Sequence, residues 1–209
     1  MTFDLAAAAL AFALIFPAEF PDKTFVASLV LATRFRHLWV WIGIVGAFAV
    51  QTAIAVAAGS LLTFLPERIV LAVTFVLFVV GAVLLIKGGL ASRAAEREVL
   101  AHEEQEVHAR VAAVADPTAV RVVVTSFLVI FVAEWGDLSQ LLTAGLAART
   151  GSPLSVYLGS WLAESVVCGI AVVIGTWLRG RVSIWRIRLV SGVLLIALAV
   201  WTAVEFVQA

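Results

Sequence analysis

The sequence predicts an all-α integral membrane protein of six transmembrane helices, arranged as two inverted three-helix repeats with helices 1 and 4 broken at the midplane. Three observations carry that expectation. The 209 residues are 63% hydrophobic and 13% charged, with a mean hydropathy of +1.11, whereas a soluble domain carries about 25% charged residues. Six mainly apolar runs, at roughly 5–33, 38–64, 69–90, 121–148, 153–178 and 184–205, each reach the ~20 residues that cross about 30 Å of hydrocarbon. The chain also matches itself. IFPAEFPDKTFVASLVLATR at 15–34 aligns without gaps on IFVAEWGDLSQLLTAGLAAR at 130–149, and IAVAAGSLL at 54–62 aligns on IAVVIGTWL at 170–178, at offsets of 115 and 116 residues.

The opening MTFDLAAAAL has neither the basic stretch nor the small-residue cleavage site of a secretory signal, so it reads as the beginning of helix 1. That helix contains Pro17 and Pro21, whose missing N–H groups leave the carbonyls of Ala13 and Pro17 without helical donors. A bend or an unwound turn is expected there. Helix 2 opens with Trp39 and Trp41, which, with Trp177, Trp185 and Trp201 near other ends, are expected as interfacial anchors. Helices 3 and 6 match weakly, through VVGAVLLI at 79–86 and VSGVLLIA at 190–197. Gly43, Gly46, Gly59, Gly159 and Gly175 allow close helix approach. Cys168 is the single cysteine, so no intrachain disulfide forms, and it is expected as a small core residue.

The hydrophilic stretch at 91–119, rich in Ala, Glu and Arg until Asp116-Pro117, predicts a helical linker. His102 and His108 are six residues apart, the wrong spacing for one helix face, so a solvated linker is expected rather than a metal-binding tract. The chain thus divides into a first three-helix repeat at 1–90, the linker at 91–119, and a second repeat at 120–209. Formal net charge is zero, but with six alternating spans eleven basic residues fall on one side: Arg34, Arg36, Lys87, Arg93, Arg97, Arg110, Arg121, Arg179, Arg181, Arg186 and Arg188. The other side receives Arg68 and Arg149. The basic side is expected in the cytoplasm, which puts both termini outside and the linker inside. The expected partner is the lipid bilayer of a bacterial-type inner membrane, with no nucleic acid and no permanently bound cofactor; oligomeric state is not encoded legibly. An odd number of helices per repeat makes the second half enter from the opposite side, which is how many secondary transporters are built.

The chemistry lies in the two aligned motifs, AEFPDKT at 18–24 and AEWGDLS at 133–139. Glu19 with Asp22, and Glu134 with Asp137, are three residues apart, so one helical turn would put each pair on one face. A buried charge at the bilayer centre costs at least about 2.5 kcal/mol. Four carboxylates converging there must hold protons, bind cations or pair with bases, and Lys23 is the single base within the spans. Glu164, midway along helix 5, makes five acids against one base. Neither motif contains Cys, Met or His, so the donors suit hard ions such as Ca²⁺, Mn²⁺ and Mg²⁺. Mn²⁺ and Ca²⁺ shed water more readily than Mg²⁺ and fit a closing site better. Thr24 and Ser139 occupy matching positions as candidate hydroxyl ligands, and Gln51 and Gln140 are candidate amide-oxygen ligands. Each of these four is equally well placed for bonding within the protein. Carbonyls freed by the proline breaks, and by a break that Gly136 permits, are further candidate donors.

Two copies of a Glu-x-Gly-Asp-Lys/Arg-Thr/Ser pattern, one in each three-helix half, resemble the GDT family of calcium and manganese cation/proton antiporters. The resemblance covers essentially the whole chain. It implies that Glu19, Asp22, Glu134 and Asp137 form the transported cation's site, with Thr24 and Ser139 at its hydroxyl positions. Pro21 stands where that pattern has Gly, and Leu138 where it has a base, which leaves the site more negative. The function expected on this basis is exchange of Mn²⁺, and also Ca²⁺, for protons. A Na⁺ or organic-cation exporter on the same scaffold is the alternative. A metal-dependent membrane enzyme is disfavoured, because no HExxH tract, phosphate-binding loop or nucleophile and base pair is present.

Overall fold

The computed structural model describes residues 3–20, 23–62, 64, 66–90, 98, 101–102, 104–109, 118–178 and 184–208. Every regular element among them is a helix: α1 Leu5–Glu19, α2 Lys23–Arg34, α3 His37–Leu62, α4 Glu67–Leu90, α5 Ala119–Ala133, α6 Leu138–Thr150, α7 Pro153–Leu178 and α8 Ile184–Gln208. Residues 98, 101–102 and 104–109 of the linker are helical too, and His102 pairs there with Glu106 at 3.5 Å. Pro21, Asp22 and Asp116-Pro117 lie outside the described residues, as do the side chains of Lys23, Gly175 and Trp177.

Among the described residues three helices are long and apolar enough to cross a membrane, and up to five spans result if α1 with α2 and α5 with α6 each count as one. α8 is 25 residues long, about 38 Å, and apolar over Leu195–Gln208. The protein is a multi-pass helical membrane protein. Its pattern of burial is the one a hydrocarbon solvent selects. Val76, Val83 and Leu84 of α4, Leu128 and Val132 of α5, and Leu158 and Leu162 of α7 face outward, while Glu19, Gln51, Thr52, Thr143, Ser160 and Glu164 are buried. Lipid replaces water at the surface, so polar groups gain most by meeting one another inside.

Asp4 caps α1, its carboxylate accepting from the N–H groups of Ala6 and Ala7, and its own N–H donates to Ser155 at the start of α7. The helix then runs through Pro17 and stops at Glu19. The sequence expectation of a disruption beside the acids holds, but it falls after Pro17 rather than at it. α1 and α2 meet at 70°, α5 and α6 at 76°.

Helix pairings repeat between the two halves. α1 packs on α7 as α5 packs on α3, and α2 packs on α7 as α6 packs on α3. Two contacts make the correspondence exact to within one residue. A Cβ built on Gly43 would stand 2.4 Å from the carbonyl oxygen of Val123, and one on Gly159 would stand 2.2 Å from that of Ala8. Gly43 and Gly159 differ by 116 positions, Ala8 and Val123 by 115, the offsets of the sequence repeat. α3 and α7 also cross-link through two indoles: Trp41 Nε1 donates to the Ser165 carbonyl at 3.0 Å and Trp161 Nε1 to the Val45 carbonyl at 3.1 Å. Trp41 therefore ties α3 to α7. At one end of the molecule Arg149, in the last turn of α6, is held by α8: it hydrogen-bonds Thr202, pairs with Glu205 at 3.2 Å, and lies 5.9 Å from the ring centre of Trp201.

Candidate functional site

Both breaks deliver an acid or acids to one place: Glu19 from the first, Glu134 and Asp137 from the second. One carboxylate oxygen each from Glu19, Glu134 and Asp137 lie within 4.8 Å of one another. Glu19 closes α1, Glu134 follows α5, and Asp137 precedes α6, so both halves of the chain contribute to a single cluster. Glu19 is 2% exposed and Glu134 1%. Asp22 is outside the described residues.

The second break is built by a local hydrogen-bonded turn. Glu134 donates its N–H to the Ile130 carbonyl and accepts the Asp137 N–H on its own carbonyl. Gly136 sits at φ +75°, in the left-handed region that glycine enters without a steric penalty. Gln140 then staples the turn. Its Nε2 donates to the Glu134 carbonyl at 2.7 Å, and its Oε1 accepts the Gly136 N–H at 3.2 Å. The Glu134 carbonyl is engaged in holding the turn, and so is the Gln140 amide. Asp137 occupies the N-cap position of α6 without capping it through its side chain, which leaves its carboxylate directed into the cluster. Substituting Gly136 by Ala forces a Cβ into the left-handed region at a cost of about 1 kcal/mol; lowered thermal stability in detergent, with a further loss on adding Gln140→Leu, checks the turn.

The remaining candidates differ in kind. Thr24 and Ser139, in the first turns of α2 and α6, are both buried, and the Thr24 hydroxyl has no hydrogen-bond partner among the described residues. Gln51 is 1% exposed; its Nε2 donates to the Phe131 carbonyl of α5 at 2.9 Å, and its Oε1 is buried without a partner among the described residues. Glu164 is not a member of the three-acid group; Thr52 of α3 donates to its Oε2 at 2.7 Å. The cluster is thus an all-oxygen, carboxylate-rich site walled by helices. It can hold a hard cation, or protons when no cation is present.

A helical membrane protein whose two broken helices converge buried carboxylates on one point has the construction of an ion-coupled transporter. The model of the family described as divalent cation/proton antiporter GDT1 matches residues 7–93 and 122–209. The chain belongs to this family. It is 34% identical over 198 residues to the GDT1-like protein sll0615 of Synechocystis sp., covering 91% of this chain and 95% of that one. It is 32% identical over 211 residues to the chloroplastic GDT1-like protein 1 of Oryza sativa subsp. indica, and 33% identical over 211 residues to the chloroplastic protein PAM71 of Arabidopsis thaliana. Those matches take in 95% and 94% of this chain but 62% and 56% of the plant proteins. No solved structure matches the chain.

Proposed function

We propose that this chain exchanges Mn²⁺, and also Ca²⁺, for protons across a bacterial-type plasma membrane by alternating access. The observation that carries the reading is the convergence of Glu19, Glu134 and Asp137 from two separate helix breaks. Three carboxylates repel one another in a low-dielectric interior, so the cluster is stable only with that charge offset. A divalent cation offsets two charges and a proton one, so alternate occupancy by the two species is the chemistry this cluster favours. Asp22, three residues beyond Glu19, completes the set by the pairing that Glu134 and Asp137 display. The oxygen donors, with the hydroxyls of Thr24 and Ser139 and the amide oxygen of Gln51 as further candidates, suit Mn²⁺ and Ca²⁺, which lose water more readily than Mg²⁺.

The cycle follows from charge. From the cytoplasmic side the ionised cluster takes up the cation, and the neutralised site closes and reopens outward. Protons arriving from outside displace the cation, and the protonated cluster returns and releases them inside. An empty, fully ionised cluster resists closure, which prevents uncoupled leakage. Six spans in two inverted repeats, 1–90 and 120–209 joined by 91–119, supply the two equivalent conformations; the repeated pairings of α1 with α7 and α5 with α3 support this. The excess of basic residues on one side supports a cytoplasmic linker with both termini outside.

Purified protein in liposomes, with a manganese-sensitive dye inside and an imposed pH gradient, tests the reading. Mn²⁺ entry is expected to follow the outward proton gradient, with Ca²⁺ competing and Mg²⁺ and Na⁺ ineffective. Folded protein that moves no divalent ion under any gradient would overturn it.

A further inference from the structure

Ser160, Glu164 and Cys168 recur every four residues on α7 and form a single stripe about 12 Å long. Each meets a hydroxyl from a different helix. Thr143 of α6 donates to Ser160 at 3.1 Å, Thr52 of α3 donates to Glu164 at 2.7 Å, and Ser28 of α2 stands beside the Cys168 thiol. All six side chains are buried. Glu164 is the stripe's one carboxylate, 2% exposed. It stands outside the group of Glu19, Glu134 and Asp137, yet near enough to Glu19 for their charges to repel. The internal repeat gives it no counterpart, since the 116-residue offset puts Phe48 at the matching position. Its role is therefore additional to the paired motifs.

One carboxylate and one neutral hydroxyl balance a single positive charge, so a proton fits this pair and a divalent cation does not. A hydroxyl is also a suitable partner for both forms, donating to the carboxylate and accepting from the carboxylic acid. We propose that Glu164 carries a proton exchanged in the transport cycle, separately from the cation-binding carboxylates and coupled to them through charge repulsion. This rests on the antiport reading above. With the cluster empty, ionised Glu19 opposes a second negative charge nearby, and Glu164 keeps its proton. A divalent cation beside Glu19 cancels that opposition and the proton departs, so cation entry and proton exit are linked in the direction antiport requires. Among the described residues, α1 faces Glu164 with Glu19 and α3 with Thr52, while Cys168 on α7 itself also lies in the field of Glu134. The contacts from α2 and α6 to the stripe are the neutral hydroxyls of Ser28 and Thr143.

The test compares two modes of transport in liposomes holding the full chain: Mn²⁺ driven by a pH gradient, and Mn²⁺ exchanging for Mn²⁺ at equal pH. In Glu164→Gln the proton-driven mode is expected to fall at least about tenfold while the Mn²⁺/Mn²⁺ mode stays within about twofold, because one proton carrier is removed and the cation ligands remain. Glu164→Asp restores part of the driven mode. Thr52→Val, which leaves every ionisable group in place, moves the pH midpoint of driven transport upward as the carboxylate loses a donor. Wild-type coupling in Glu164→Gln would overturn the inference and leave the antiport reading intact; so would parallel loss of both modes with an unmoved midpoint in Thr52→Val. Wild-type protein that exchanges Mn²⁺ for Mn²⁺ but never responds to a pH gradient would remove the antiport reading, and this inference with it.

Discussion

Replacing Asp137 by Asn lowers proton-driven Mn²⁺ transport at least about 100-fold, since ligand charge count tunes divalent-ion affinity over orders of magnitude, and leaves the protein folded. The asymmetry between function and stability comes from where Asp137 stands. Its side chain does not cap α6, and its backbone N–H bonds the Glu134 carbonyl whatever the side chain is. The turn therefore survives the substitution, with Gln140 still bridging Glu134 and Gly136. What is lost is one charge from a group whose carboxylate oxygens lie within 4.8 Å. Less mutual repulsion also relieves the empty cluster, so the variant should melt no lower than the wild type and may be assayed at equal folded concentration. Glu19→Gln, on the other side of the cluster, has the same expected effect on transport. Transport at wild-type rates in both variants, measured in the same liposomes, would show that the cluster is not the cation site.

The acids that the structure brings together are legible in the sequence because their signals are local and duplicated. Two carboxylates three residues apart, repeated 115 positions on inside apolar runs, are visible without any knowledge of packing. The repeat offset is also the one that relates Gly43 and Gly159 in their contacts with the opposite half. The roles of single polar side chains were hidden for equally physical reasons. Gln140 looked like a candidate ligand, yet it reaches back to Glu134 and Gly136, a bond available only once the helix has broken. Trp41 lies where an interfacial ring is expected, but its indole finds a carbonyl on α7 124 residues away. The pairing of Thr52 with Glu164 depends on how α3 faces α7, and no periodicity within either helix encodes that.

Gly43→Ala and Gly59→Ala should each destabilise the protein by about 3 kcal/mol, the upper part of the usual range for overpacking, and should depress transport along with stability. A Cβ at Gly43 would meet the Val123 carbonyl of α5 at 2.4 Å, and one at Gly59 would meet the Ala144 carbonyl of α6 at 2.1 Å. Backbone oxygen inside a helix cannot swing aside as a side-chain tip can, so the helices themselves must separate. Both glycines are on α3, with Gln51 midway between them donating to Phe131 at the end of α5. α3 thus splints the 76° bend from outside, gripping the chain before the break, beside it and after it. Forcing either contact apart changes the angle that delivers Glu134 and Asp137 to Glu19, which is why function should follow structure here and not in Asp137→Asn. Gly46 provides the control. On the same helix, its Cβ would meet Phe127 at an ordinary 3.6 Å, so Gly46→Ala should be neutral or should gain up to about 1 kcal/mol from helix propensity. Thermal unfolding in detergent orders the three variants, and a Gly59→Ala protein that melts with the wild type would refute the splint.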